Sequence, residues 1–221
     1  MSARRDFLRR LALGGALGAG GVTGFVSRAL AKGDLPAIPG INRLEGSATV
    51  NGKEAKVGTP VTPRDRVTTG PRSQAVIVVG GDAFLLRENT VIELGESGGT
   101  LSRILIRTGR VLSVFAKKPV EIRARTATIG IRGTGAYLEV EPERVYFCLC
   151  YGEADLAGPG MATPTRIRTR HHESPLYLRD AGPAMKAEPG PVVNHTDDEL
   201  TLLEALVGRE PPFTGYPFPR Y

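Results

Sequence analysis

The chain has 221 residues, with 29 Lys and Arg against 23 Asp and Glu for a net charge of +6, and it contains two cysteines, three histidines and no tryptophan. That length suffices for one domain with a real core and an extension, and two cysteines exclude a disulfide-dense scaffold. The basic balance points to nucleic acid only if the charge belongs to the folded part.

It does not. Arg4, Arg5, Arg9, Arg10 and Arg28 all precede residue 32, where Asp6 is the only acid. The pair Arg4-Arg5, then Phe7-Leu8, then an apolar run from Leu11 to Val26 reads as an export signal and resembles the twin-arginine type. Ala29 and Ala31 provide the small residues of a cleavage site after Ala31. The run is shorter than the roughly 20 residues that span a bilayer and is diluted by six glycines, so cleavage is expected rather than retention as an N-terminal anchor. Without residues 1–31 the chain keeps 24 basic and 22 acidic residues, a net +2. Nucleic acid is therefore not an expected partner. The membrane is met only in transit, or through the anchor if it is kept.

Residues 32–40 form a short leader. From 41 to 157 the sequence breaks into short apolar or alternating runs separated by Gly, Asn, Asp and Pro, with no helical periodicity, which predicts a mainly β domain, a sandwich or a solenoid. Asn51-Gly52, Gly80-Gly81-Asp82 and Thr108-Gly109 are each expected to turn a hairpin. Short strands are expected in "VEIRART", "GAYLEVE" and "RVYFCLC". Asp65, Thr68-Thr69-Gly70, the Gly80-Gly81-Asp82 turn, Gly109, Arg132-Gly133-Thr134 and Gly152, in that order and spacing, resemble a FecR domain over about half of the chain. The resemblance implies an all-β extracytoplasmic module without catalytic activity. Signalling members of that family hold a sigma factor through a cytoplasmic segment ahead of a transmembrane helix. Only about ten residues precede the apolar run here, so that role is not expected to transfer.

Residues 158–221 read as an extension of loop with two short strands at most, "TRIRT" and "PLYL", and one helix at about 197–207. Thr196 and Glu199 have the spacing of a capping box, and Asp197 and Asp198 favour the helix N-terminus. Leu200, Leu203, Leu206 and Val207 form an apolar stripe that needs a surface to cover. The tail "PFTGYPFPRY" carries Phe213, Tyr216, Phe218 and Tyr221 and is expected to dock on its own domain.

No nucleophile-and-base pattern or phosphate loop is present, and an enzyme is not expected. Glu139, Glu141 and Glu143 alternate along a strand and read as solvated charge. Arg103, Arg107, Arg110, Arg123 and Arg125 lie in a stretch poor in acids; they are either a solvated sheet face or a landing site for an anionic envelope polymer. An envelope protein is the other candidate partner.

In "VYFCLCY" a period of two places Tyr146, Cys148 and Cys150 on one face and Val145, Phe147, Leu149 and Tyr151 on the other. Residues two apart on a strand lie about 6.6 Å apart, too far for a disulfide between Cys148 and Cys150, which needs Cβ atoms about 4 Å apart. Packed free thiols without a cofactor are the first expectation. The alternative is copper or zinc held by Cys148, Cys150 and some of His171, His172 and His195, with only one of the adjacent histidines joining unless a turn carries both.

Overall fold

A computed structural model describes residues 38–219 and Tyr221. Arg4, Arg5, Ala29 and Ala31, with the export signal and cleavage site expected there, lie outside the described residues. Among the described residues, no helix is long and apolar enough to cross a membrane.

The chain is mainly β. The strands are β1 (Gly40–Glu45), β2 (Ala48–Val50), β3 (Lys53–Glu54), β4 (Arg66–Thr69), β5 (Gln74–Val79), β6 (Asp82–Leu86), β7 (Val91–Ser97) and β8 (Thr100–Val114). They continue as β9 (Pro119–Arg123), β10 (Thr128–Arg132), β11 (Gly135–Val140), β12 (Val145–Ala157), β13 (Thr165–Thr169), β14 (Leu176–Asp180) and β15 (Met185–Pro189). One helix follows, α1 (Asp197–Leu206).

The strands link into a sheet that folds over on itself as a barrel-like sandwich. One layer runs β1-β5-β6-β8-β11-β12-β14-β15, the other β3-β2-β4-β7-β8-β9-β10-β12-β13, so β8 and β12 belong to both. The two long strands pass between layers at Gly109 (φ +96°) and Gly152 (φ +98°). A Cβ at Gly109 would lie 2.4 Å from the Thr90 Cα, and one at Gly152 would lie 2.6 Å from the Thr134 Cγ2, so only glycine fits either corner. The hairpin expected at Thr108-Gly109 is thus not formed; Gly109, like Gly152, lies inside one continuous strand. The Asn51-Gly52 turn does form, with both residues at positive φ, and Val79 pairs with Asp82 across Gly80-Gly81.

Between the layers lies a core of alternating inward residues, among them Ile77, Phe84, Ile92, Ile104, Ile129, Leu138 and Phe147. The extension is more ordered than its composition suggests. It adds three strands, not two: β13 pairs with the second half of β12, β14 with the first half, and β15 with β14. The helix then covers the outer face of the first layer, where Leu200, Leu203 and Leu206 meet Val76, Leu85, Leu112 and Tyr137. Both halves of the capping box are made by Thr196 and Glu199. Arg87 bridges helix and sheet by donating to a Glu199 carboxylate oxygen at 2.8 Å and to the Asn194 carbonyl at 2.9 Å.

Candidate metal centre

Cys148 and Cys150 lie on the outer face of the first layer, beneath α1, with no exposed surface. Their neighbours depart from simple alternation. β12 pairs Leu149 with Ala136 and Tyr151 with Gly135, so two residues advance on β12 for one on β11, and Cys150 is the extra residue of a bulge. Tyr151 consequently joins Cys148 and Cys150 on the helix side, not Leu149 in the inter-layer core as alternation predicts. The bulge also re-aims the Cys150 side chain, and both thiols come within 4.8 Å of the same imidazole nitrogens.

The histidines arrive from two other places. His172 sits in the turn between β13 and β14 at φ +54°, and its backbone N–H donates to the Cys150 carbonyl at 2.9 Å. Its Nδ1 lies 3.4 Å from the Cys148 Sγ. His195 precedes the helix cap; its Nε2 lies 3.1 Å from the His172 Nδ1, and its ring stacks on Tyr137 with centroids 4.4 Å apart. All four side chains are buried: Cys148 and Cys150 at 0%, His172 at 2% and His195 at 4% exposure.

Each imidazole's remaining nitrogen faces an acceptor. His195 Nδ1 lies 2.7 Å from the Val193 carbonyl, and His172 Nε2 lies 3.1 Å from the Asp197 Oδ1. Neither acceptor can supply a proton at neutral pH, so each of these nitrogens carries the N–H. The other two nitrogens, His172 Nδ1 and His195 Nε2, lie 3.1 Å apart and face the two sulfurs. The outer contacts are the support that metal-bound histidines receive, a carboxylate in one case and a backbone carbonyl in the other.

The electrostatics agree with thiolate character. The Cys148 thiol is held far below its ordinary range, at about 3, by its hydrogen bond with Cys150 and, against burial, by His172 and His195. Burial pushes the Cys150 thiol up, and the charge on Cys148 adds to that. His172 rises to about 9: burial opposes its charge, but Asp197 and Cys148 outweigh it. Asp197 is lowered, because the bonds from His172 and His171 overcome its own burial.

His171 does not join the sulfurs. The turn does carry both histidines inward, but the His171 Nε2 reaches Asp197 at 2.9 Å while its ring lies among Phe213, Phe218 and Tyr221 at centroid distances of 4.7, 4.8 and 5.3 Å. The aromatic tail therefore docks on its own domain, over the outer end of the cluster. Its last residue closes the contact, the Tyr221 carbonyl accepting from the Asp197 N–H at 3.1 Å. A cleft of about 520 Å³ lies beside the tail, lined by Tyr151, Thr169, Arg170, Phe213, Tyr216 and Phe218.

Two carboxylates have roles that the sequence reading missed. Asp197, read only as a helix-terminus charge, is the shared acceptor for both adjacent histidines. Glu139, read as solvated, is buried and accepts from the Tyr137 hydroxyl and the Asn194 amide, each at 2.7 Å. The spacing His195-x-Asp197 was the available signal for the first; nothing local signals the second.

The five arginines do not form one bare patch. Arg103, Arg107 and Arg123 share the exposed side of the second layer, but Arg107 pairs with Glu93 and Arg123 with Glu121, each at 2.6 Å. Beyond the Gly109 corner Arg110 faces Glu139 at 4.0 Å, and Arg125 lies in the bend between β9 and β10.

The fold and the cluster together define an all-β domain with a buried group of two thiols and two imidazoles. No protein-family profile matches the chain, and no curated protein does. Among solved structures it is similar to two crystal structures of a candidate anti-sigma factor from Parabacteroides distasonis ATCC 8503, with TM-scores of 0.47 and 0.46 at 12% and 13% identity. Each match covers 56% of this chain and 59% of the other, so the chain spans about three-fifths of those proteins.

Proposed function

We propose that this protein is an exported, non-catalytic β domain that binds one soft transition-metal ion through Cys148, Cys150, His172 and His195. The observation that carries the reading is the convergence of those four groups, all buried, with the outer nitrogen of His172 against Asp197 and that of His195 against the Val193 carbonyl. Packed thiols need no such company. The ligand atoms already contact one another, His172 Nδ1 lying 3.4 Å from the Cys148 Sγ and 3.1 Å from the His195 Nε2, and an ion among them would replace those contacts with metal–ligand bonds that contribute to folding.

Cys148, His172 and Asp197 also have the order of a thiol, base and orienting carboxylate. Activation of a nucleophile requires a substrate to reach it, and Cys148 has no exposed surface. The arrangement therefore favours binding over catalysis.

Export is supported by Arg4-Arg5 and by Ala29 and Ala31, and a FecR-like character by the glycine corners at Gly109 and Gly152. For an envelope protein or anionic envelope polymer as partner, the support is the exposed Arg103, Arg107 and Arg123 of the second layer, the last two of which already pair with Glu93 and Glu121. The test is elemental analysis of the mature chain purified without an affinity tag. About one equivalent of metal per chain is expected. A folded, metal-free sample with two titratable thiols refutes the reading.

A further inference from the structure

Two of the four ligands belong to the sandwich and two to the segment that follows it. Cys148 and Cys150 are on β12, whereas His172 lies in the turn after β13 and His195 just before α1. An ion bound to all four ties three separate stretches of backbone together.

We infer that the ion is a divalent cation of the zinc class in a closed four-coordinate site, and that it acts as a clasp holding the β13–β14 turn and α1 on the first layer. The inference rests on the metal-binding reading above and adds the kind of ion and its role. Three observations carry it.

The first is the size of the cluster. Zinc takes Zn–S bonds of about 2.3 Å and Zn–N bonds of about 2.0 Å, so a tetrahedral S2N2 site sets its ligand atoms about 3.3–3.8 Å apart. The His172 Nδ1 stands 3.4 Å from the Cys148 Sγ and 3.1 Å from the His195 Nε2, and all four ligand atoms lie within 4.8 Å of one another. Two sulfurs and two nitrogens within 4.8 Å of one another can close on one ion with small side-chain shifts, and that donor set suits zinc.

The second is charge. Two coordinating thiolates cancel a divalent ion, leaving a neutral centre beneath the apolar helix. A monovalent ion with the same ligands leaves a buried negative charge, with the Asp197 carboxylate already hydrogen-bonded to His172 beside it.

The third is closure. Every ligand is buried, and Tyr137, α1 and the aromatic tail occupy the surrounding space. That leaves no open coordination position for a substrate, which is the mark of a structural site.

The experiment uses the full mature chain, metal-free and reloaded with Zn²⁺, Cu⁺ (anaerobically) or Co²⁺, and reads the Co²⁺ absorption spectrum together with amide exchange along the chain. Intense tetrahedral Co²⁺ bands with thiolate charge transfer are expected. So is fast exchange of α1 and the β13–β14 turn in the metal-free form, restored to slow by one equivalent of Zn²⁺, while β5 and β6 stay protected throughout as the check on folding. Cys150→Ser and His195→Gln should abolish that restoration.

The outcomes separate the two claims. If no ion binds, the metal reading itself fails. If an ion binds but the Co²⁺ form is five- or six-coordinate, or Cu⁺ restores protection and Zn²⁺ does not, the zinc assignment is overturned. If α1 and the turn are equally protected with and without metal, the clasp is overturned while binding stands.

Discussion

The Nε2 of His172 lies 3.1 Å from Oδ1 of Asp197, and the same oxygen lies 2.9 Å from the Nε2 of His171. One carboxylate at the first turn of α1 thus orients the ring that faces the sulfurs and the ring that faces the tail. It links the buried cluster to the C-terminus.

Asp197→Asn should keep the helix but loosen the His172 ring. The expected result is a fall of about 10- to 100-fold in metal affinity, the usual effect of removing such a supporting group, at unchanged stoichiometry. A competitive chelator titration measures it. An affinity within twofold of the parent would show that His172 needs no support from Asp197.

Tail removal should act on rate. Phe213, Phe218 and Tyr221 cover His171, with Tyr221 hydrogen-bonded to Asp197, so a chain ending at Pro212 should release its ion to a chelator several-fold faster while still binding one equivalent. Stopped-flow release with a chromogenic chelator tests this. Equal rates would place the exit route elsewhere.

Leu203 is fully buried between α1 and the first layer. Leu203→Ala should destabilise the protein by about 2–5 kcal/mol, the range for removing a large side chain from a packed site. Denaturant unfolding of the metal-saturated protein gives the value, and a loss below about 0.5 kcal/mol would mean the helix is not packed in solution.

Asp65 provides a pH test far from the cluster. Its carboxylate is buried in part, which raises its pKa, but the bonds from the Thr62 N–H, the Asn51 amide and the Thr62 hydroxyl outweigh that and lower it. A carboxyl depressed by folding stabilises the protein above its unfolded value of 3.8, and that stabilisation is lost as pH falls through the lower folded value. Asp65→Asn should therefore be less stable than the parent at neutral pH, with the gap closing below about pH 4. A gap independent of pH would refute the assignment.

Export is tested at residues 1–31. Arg4→Lys together with Arg5→Lys should leave precursor in the cytoplasm, and the mature protein should begin at Lys32. Fractionation and N-terminal sequencing read both results, and unaltered export of the double variant would remove the twin-arginine reading.

Much of the architecture was legible from local chemistry. The Asn51-Gly52 turn, the Thr196/Glu199 capping box and the leucine stripe of α1 depend on a few adjacent residues whose preferences nothing remote overrides. Thr108-Gly109 reads as a hairpin but forms a strand crossing instead: positive φ serves a hairpin and a crossing between layers equally well, and only the pairing partners decide which forms. The third strand of the extension, β15, has no apolar alternation of its own and exists because β14 offers it an edge.

The sequence by itself determined which residues were candidates: two thiols separated by one residue and three histidines downstream. It favoured packed thiols, since regular alternation keeps Cys148 and Cys150 parallel and gives them no reason to meet a histidine. Tertiary structure decided the rest. The bulge at Cys150 is a matter of register between β11 and β12, the reach of His172 depends on a positive-φ turn bonded to the Cys150 carbonyl, and His195 arrives because the leucine stripe draws α1 onto the first layer. Each is a contact between residues distant in sequence, set by burial of apolar surface over the whole domain, and so none can be read from the residues around either cysteine.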